Sequence, residues 1–190
     1  MTRQAASPPP DAPGAGSRDV PATVHGLRAA PKRKHGAGAY QPKRGHAGLT
    51  YLGVYEASPA ERIALIKRGI PASEAKRIIA DLTPLRQGAT LKALNISIAT
   101  INKKAKQRHP LSPAESERVI GIARLVGQVQ TMVQESGNPE GFDAAAWMSR
   151  WLEEPLPALG GMRPIDLMDT MEGQAVVSAT LAQMQAGAYA

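Results

Sequence analysis

The stretch WLEEPLPALGGMRPIDLMDTMEG, residues 151–173, decides how the C-terminal part of this chain folds. Pro155 lacks an amide donor and its ring clashes with the preceding turn, so we expect the helix before it to end near Glu154. The two glycines at 160–161 permit a reversal of the chain, and Pro164 suits the first turn of another helix. The stretch therefore predicts two helices joined by a tight turn.

Two tryptophans four residues apart give the first of these helices a large apolar face. Trp147 and Trp151 lie on the same side of a helix at this spacing, and Leu152 widens the face. On periodicity alone, the pattern favours a small helical subdomain with a tryptophan core. We expect the following residues to be structural: Trp147, Trp151, Leu152, Leu159 and Leu167.

The order and spacing of particular residues add a more specific signal. They are Trp151-Leu152, Pro155, Ala158-Leu159-Gly160-Gly161, Pro164, Asp166-Leu167, Thr170, Gly173, Val177, Leu181, Gly187 and Tyr189. This pattern resembles the C-terminal toxin-binding domain of the MbcA/ParS/Xre antitoxins. The resemblance covers residues 138–190 and implies a module that binds and inhibits a protein toxin.

The last residues of the chain are a separate candidate for toxin contact. Gly187 can adopt the left-handed conformation that closes a helix and turns the remaining residues away from its axis. Tyr189 offers an aromatic ring and Ala190 a carboxylate, and the resemblance implies that this region occludes the toxin's NAD pocket. A frayed terminus is the alternative. The expected toxin-binding residues are Leu159, Gly160, Gly161, Met162, Arg163, Gly187, Ala188, Tyr189 and Ala190.

The net charge of +7 conceals a division along the chain. Residues 1–48 carry eight Lys/Arg and two acids, residues 49–110 carry eleven and four, and residues 111–190 carry four and ten. A basic front and an acidic back predict that the front meets a polyanion such as nucleic acid. Residues 1–50 form a Pro/Gly-rich tail without enough large aliphatic residues for a core, so we expect it to be disordered.

The first expected helix of the front begins at a capping box. Ser58 and Glu61 flank a proline at the first helical position, and Gly69 ends the helix. Its expected apolar stripe consists of Ile63, Leu65 and Ile66.

The segment LKALNISIATINKKAKQRH, residues 91–109, predicts a DNA-binding motif. A short turn follows Leu94, and Ser97 can cap a helix from Ile98 to about Gln107, on which we expect Ile98 and Ile101 to point inward. A helix, a tight turn and a short basic helix form a helix-turn-helix, whose second helix enters the major groove of DNA. The expected DNA-binding residues are Ser97, Thr100, Asn102, Lys103, Lys104 and Lys106, with Thr100 and Asn102 nearest the bases.

This segment also resembles the Xre-like helix-turn-helix domain that precedes the toxin-binding domain in these antitoxins. The resemblance rests on Asn95-Ile96-Ser97, Ala99-Thr100-Ile101 and Lys103-Lys104, where Gly-Ile-Ser, Arg-Thr-Leu and paired arginines are usual. Lysine lacks the bidentate fork of arginine. The departure therefore puts guanine-specific contacts in doubt and leaves phosphate contacts intact.

A long helix is expected to join the two parts. Ser112 and Glu115 form a second capping box, and Gly137 marks the end of the helix. The apolar residues Val119, Ile122, Val126, Val129 and Val133 follow a heptad rhythm. Such a short stripe favours packing within one chain, with a homodimer possible. The expected architecture is all-α: a helix-turn-helix domain at 51–118, a connecting helix at 119–137 and a small helical toxin-binding domain at 138–190.

Composition and spacing also bear on catalysis and on compartment. The chain has no cysteine, which excludes disulfides and thiolate sites and fits the cytoplasm. No apolar run approaches the ~20 residues that span a bilayer, so we expect no membrane association. His109 has no expected partner, and Asp166 and Asp169 suit a solvated helix start better than acid–base chemistry. We expect no enzymatic activity, no cofactor and no metal.

Three classes of function remain after these observations. The resemblance implies an antitoxin that neutralises a RES-domain toxin, which consumes NAD, and that represses its own operon by binding operator DNA. The second class is a free-standing helix-turn-helix regulator whose C-terminal domain mediates oligomerisation. The third is a helical adaptor with an incidental basic surface.

Overall fold

The computed structural model describes residues 48–83, 85–137 and 139–187, and these ranges are almost entirely helical. The expected all-α fold is confirmed, and residues 1–47 of the predicted tail lie outside the described ranges. Two short 3₁₀ turns, Pro157–Leu159 and Pro164–Leu167, accompany the α-helices. In chain order the α-helices are α1 (Tyr51–Glu56), α2 (Pro59–Arg68), α3 (Ala72–Asp81), α4 (Gln87–Ala93), α5 (Ile98–Lys106), α6 (Pro113–Ser136), α7 (Ala144–Glu153) and α8 (Met171–Gln185).

The helix α6 is the spine of the molecule. The helices α1, α2, α3, α7 and α8 all pack against it, so it is buried on most sides. The heptad residues Val119, Ile122, Val126 and Val129 are fully buried inside the chain, and Val133 is half-buried. The stripe is therefore used within one chain. The predicted start of the connecting helix at residue 119 falls inside α6.

The expected caps of three helices are confirmed. Ser58 with Glu61 caps α2, and Ser112 with Glu115 caps α6, with both hydrogen bonds of each box present. In each case the serine side chain accepts from a backbone N–H that the helix leaves unpaired. Ser97 caps α5 in the same way.

One part of the expected core is wrong. Ile63 was expected in the apolar stripe of α2, but its side chain is 51% exposed, whereas Leu65 and Ile66 are half-buried against the core. Leu65 and Ile66 make the apolar contact of α2 with the core, and Ile63 lies outside this contact. The contact between α2 and the core includes two of the three predicted apolar residues.

The helix α1 is a short element that the sequence patterns did not reveal. Thr50 caps it, and it crosses α6 at Gly127, where a Cβ atom would collide with the carbonyl oxygen of Tyr51. The hydroxyl of Tyr51 donates to Oδ2 of Asp81 at 2.7 Å. Burial and then this hydrogen bond raise the pKa of Tyr51 well above its ordinary value. These contacts fasten α1 to both α6 and α3.

The C-terminal part differs in one respect from the expected helix pair. α7 ends at Glu153, as expected from Pro155, but Pro164 opens a 3₁₀ turn of four residues and not an α-helix. The turn cannot lengthen, because Thr170 caps a separate helix, α8, and accepts from the backbone N–H of Gly173 at 3.1 Å. Gly173 approaches the Leu167 carbonyl so closely that a Cβ atom there would overlap it.

Candidate DNA-binding and toxin-binding surfaces

The turn between α4 and α5 is closed by local hydrogen bonds and by buried side chains. The backbone N–H of Ile96 donates to the Leu91 carbonyl at 2.8 Å, and Ile96 and Leu94 are both buried. Asn95 adopts a left-handed conformation with φ of 50°, which a short polar side chain tolerates. The turn therefore holds α5 at a fixed angle to α4.

Most of the predicted DNA-binding side chains lie on the outer side of α5. Asn102, Lys103 and Lys106 are exposed, and Thr100 is half-buried. Ser97 is also exposed, and its hydroxyl oxygen accepts from the Thr100 backbone N–H at 3.4 Å. The helix thus presents two lysines, an amide and hydroxyls to solvent, a mixture suited to phosphates and base edges.

Lys104 is placed differently from the other lysines of α5. Its ammonium group lies 2.5 Å from Oε2 of Glu115, and the Lys104 side chain is only 25% exposed. The same carboxylate oxygen accepts from the backbone N–H of Ser112. Partial burial works to raise the pKa of Glu115, but the bonds from Lys104 and Ser112 outweigh it and hold that pKa below its ordinary value. Lys104 therefore ties the end of α5 to the start of α6.

A lysine of α3 joins the outer surface of α5. Nζ of Lys76 donates to Oδ1 of Asn102 at 2.8 Å. With its oxygen engaged, the Asn102 amide has its two N–H donors left for acceptors on a base edge or phosphate. Lys76 is not among the predicted DNA-binding residues, although it lies in the basic segment 49–110.

The prediction that Ile98 points inward is wrong. Its side chain is 52% exposed, whereas Ile101 is buried. A Cβ atom on Gly88 would stand 3.6 Å from Cδ1 of Ile98, so the isoleucine lies over the start of α4. Ile98 is the first residue of α5, and the core contact of this helix is made one turn later.

The predicted toxin-binding loop is a compact turn with an exposed tip. The Leu156 backbone N–H donates to the Met162 carbonyl at 3.1 Å, and the Gly161 N–H donates to the Leu156 carbonyl at 2.9 Å. Gly160 and Gly161 have φ values of 65° and 83°, which only glycine adopts without strain. Met162 is 51% exposed, whereas Leu159 is buried under the loop.

The cation of this loop is already paired. Arg163 donates through Nε and Nη2 to the two carboxylate oxygens of Asp166, at 2.9 and 2.7 Å. The hydrogen bond from Arg163 lowers the pKa of Asp166. Asp166 thus holds the guanidinium group in place beside Met162.

The two tryptophans of α7 belong to the apolar core. Trp147 and Trp151 are stacked with ring centroids 6.0 Å apart, and Trp151 is buried. Leu152 is fully buried, and Leu167 is partly buried against the core. The expected structural role of these residues agrees with their positions.

Two polar clusters attach α8 to the spine. Nε2 of Gln174 donates to the Met168 carbonyl at 3.0 Å and to the Arg118 carbonyl at 3.4 Å, and its amide fills the space above Gly121. Further along, Ser178 donates to Oε1 of Gln128 at 2.8 Å, and Nε2 of Gln128 donates to the Ser178 carbonyl. The position of α8 along α6 is therefore specified by hydrogen bonds.

The end of the described chain agrees with one expectation. Gly187 follows α8 in a left-handed conformation with φ of 70°, and its N–H donates to the Met184 carbonyl. The predicted probe residues Ala188, Tyr189 and Ala190 lie outside the described residues.

No cluster of three or more His, Cys, Asp or Glu side chains that could hold a metal ion occurs within residues 48–83, 85–137 and 139–187. Within the same ranges, no helix has both the length and the apolar character needed to cross a membrane.

Two segments of the chain match known protein families. Residues 61–124 match the antitoxin Xre-like helix-turn-helix domain. Residues 140–187 match the antitoxin Xre/MbcA/ParS C-terminal toxin-binding domain. The first segment contains α4 and α5, and the second contains the tryptophan helix, the exposed loop and α8.

Two relatives match across larger parts of the chain. The Prs ADP-ribosylating antitoxin of Sphingobium sp. (strain YBL2) is 56% identical over 147 residues, which cover 77% of this chain and 92% of that protein. The antitoxin Xre of Pseudomonas putida is 24% identical over 92 residues, which cover 48% of this chain and 52% of that protein. This chain belongs to the Xre/MbcA/ParS family of antitoxins.

Proposed function

We propose that this antitoxin neutralises a RES-domain toxin that consumes NAD and represses its own operon by binding operator DNA. The observation that carries the proposal is the placement of two different surfaces on one spine. A basic helix-turn-helix lies on the N-terminal part of α6, and a loop with an exposed methionine and a paired arginine lies on the C-terminal module. Both partners would place the protein in the cytoplasm.

The name of one relative supports the proposed NAD chemistry of the toxin. The relative from Sphingobium carries ADP-ribosylation in its name, and ADP-ribosylation transfers part of NAD to an acceptor. An NAD-consuming toxin is consistent with that name. The proposal assigns this activity to the toxin and a binding role to the antitoxin, so the purified antitoxin alone should not turn over NAD.

The toxin surface is assigned to the exposed residues of the C-terminal loop and to the chain tip. Gly160, Gly161, Met162 and Arg163 are exposed, whereas Leu159 supports them from below. An apolar side chain beside a held guanidinium group is typical of the centre of a protein interface. Residues 187–190 are assigned to the toxin's NAD pocket.

A matched pair of substitutions tests the loop. Met162 and Ile63 are equally exposed, at 51% each, but lie on the C-terminal loop and on α2. Co-purification with a co-expressed RES-domain toxin should be lost with Met162→Glu and retained with Ile63→Glu. Equal retention by both variants would contradict the loop assignment.

Deletion of residues 188–190 tests the tip separately. The shortened chain should still form the complex, because the loop remains, but the complex should regain NAD turnover. Full inhibition by the shortened chain would assign inhibition to the loop alone.

The DNA surface is assigned to Asn102 and Thr100 near bases and to Lys103, Lys106 and Lys76 near phosphates. Lys104 is reassigned to a structural role because it pairs with Glu115. In mobility-shift titrations on the DNA upstream of the gene, Lys103→Ala should lower the salt slope by about one unit. Lys104→Ala should chiefly lower thermal stability. An unchanged salt slope for Lys103→Ala would contradict this assignment.

A homodimer is part of the proposal because helix-turn-helix proteins commonly bind two half-sites as dimers. The heptad stripe of α6 is buried within the chain, so a dimer would use another face. Light scattering of the protein with and without operator DNA measures this.

A further inference from the structure

An isoleucine lies exposed on a helix that otherwise presents polar and cationic side chains. Ile98 is 52% exposed at the first position of α5, and Ala99 beside it is also exposed. The core contact of the helix is made by Ile101. Because Ile98 contributes little to the core, its apolar side chain is free to serve a contact outside the molecule.

The surroundings of Ile98 indicate what kind of partner it meets. It lies over Gly88 at the start of α4, where Arg86 and Gln87 are exposed. Asn102 follows Ile98 at the i+4 position, on the same side of α5, and Lys76 is bonded to it. A partner that covers Ile98 must therefore have a small apolar group surrounded by anionic groups and hydrogen-bond acceptors.

We propose that Ile98, together with the methyl group of Ala99, contacts the C5 methyl group of a thymine and selects thymine at one position of the operator. The first turn of a recognition helix is the part that reaches the base edges. The thymine methyl is the apolar group that the major groove displays, and aliphatic side chains recognise it by contact. This inference rests on the proposed DNA-binding function and adds the base that the helix selects.

Replacement of thymine by deoxyuridine removes only this methyl group and keeps the base pair. The probe is the duplex upstream of the gene, trimmed to the region that the protein protects from cleavage, with each thymine replaced singly. The wild-type chain should lose about fourfold in affinity at one thymine position, as expected for one methyl-sized group removed from an apolar contact. At the other positions the loss should be smaller.

The variant Ile98→Ala completes a double-mutant cycle. It should bind the unmodified duplex more weakly and show no further loss when the sensitive thymine is replaced, because the two changes remove the same contact. Ile63→Ala is the matched control, since Ile63 has the same exposure on α2, and it should keep the full thymine dependence. Equal thermal transitions of the two variants would show that both remain folded.

Three outcomes would overturn the inference. Wild-type affinity that is insensitive to every deoxyuridine replacement would show that no methyl group is read. A full deoxyuridine effect in Ile98→Ala would assign the methyl contact to another residue. A change of oligomeric state in Ile98→Ala without a change in thymine dependence would assign Ile98 to a protein interface. A wild-type chain that binds none of these duplexes would instead refute the proposed DNA-binding function on which the inference rests.

Discussion

The helices on the two sides of α6 are attached to it by different kinds of contact. α1 lies so close to the spine that Gly127 leaves no room for a side chain. α8 buries Val177 and Leu181 and is also joined to α6 by amide and hydroxyl groups, with Gln174 above Gly121 and Gln128 paired with Ser178. Close packing resists any added atom, whereas each hydrogen bond contributes a net stabilisation of only about 1 kcal/mol. α1 is thus held by close backbone packing, whereas α8 adds directional hydrogen bonds to the buried contacts of Val177 and Leu181.

Removal of the tryptophan core should have the largest effect on the C-terminal side. Trp151→Ala should cost about 3–5 kcal/mol of unfolding free energy, because the ring is buried and its neighbours cannot fill the space. Denaturant unfolding measures this loss. Trp147→Ala is the control, since Trp147 is only half-buried and its loss should cost less. A native transition in Trp151→Ala would mean that the module does not depend on this ring.

The two glycines of α6 allow the comparison itself to be tested with the same substitution. Gly127→Ala should destabilise the protein by about 1–3 kcal/mol, because the new methyl group meets the backbone of α1. Gly121→Ala should cost less, because the new methyl group meets the end of the flexible Gln174 side chain and not a backbone carbonyl. Thermal unfolding of both variants gives the order. A larger loss for Gly121→Ala would reverse the comparison.

The amide of Gln174 provides a narrower test of the polar attachment. Gln174→Leu removes a donor from the Met168 and Arg118 carbonyls, and buried acceptors without partners cost about 1–3 kcal/mol. Hydrogen exchange should become faster in α8 and remain unchanged in α1. Faster exchange in both helices would show that the two attachments are not independent.

The smallest expected effect is the loss of thermal stability at low pH that protonation of Glu115 causes. The pKa of Glu115 is lowered in the folded protein, so its contribution to stability is fully present above the unfolded value of 4.5 and is lost as the pH falls through the lower folded value. The melting temperature should fall in that window, and less so for Glu115→Gln. An equal decline in both proteins would assign the acid sensitivity to other carboxylates, such as Asp166, whose pKa is also lowered.

The residues that could be placed from sequence are those whose interactions are local. The capping boxes at Ser58 and Ser112, the cap at Ser97 and the helix end at Glu154 agree with the structure. Each depends on a hydrogen bond or a steric clash within four residues, so the pattern contains the whole cause.

What the amino-acid pattern could not decide is which side of a short helix meets a neighbour. Ile98 and Ile63 are apolar at helical spacing, yet both are exposed, because α5 contacts the core through Ile101 and α2 through Leu65 and Ile66. Lys103 and Lys104 could not be distinguished from the sequence, but in the fold Lys104 forms an ion pair with Glu115. Caps and chain breaks follow from sequence because their partners are adjacent, whereas exposure and ion pairs follow from contacts between distant segments, which exist only once the helices pack on α6.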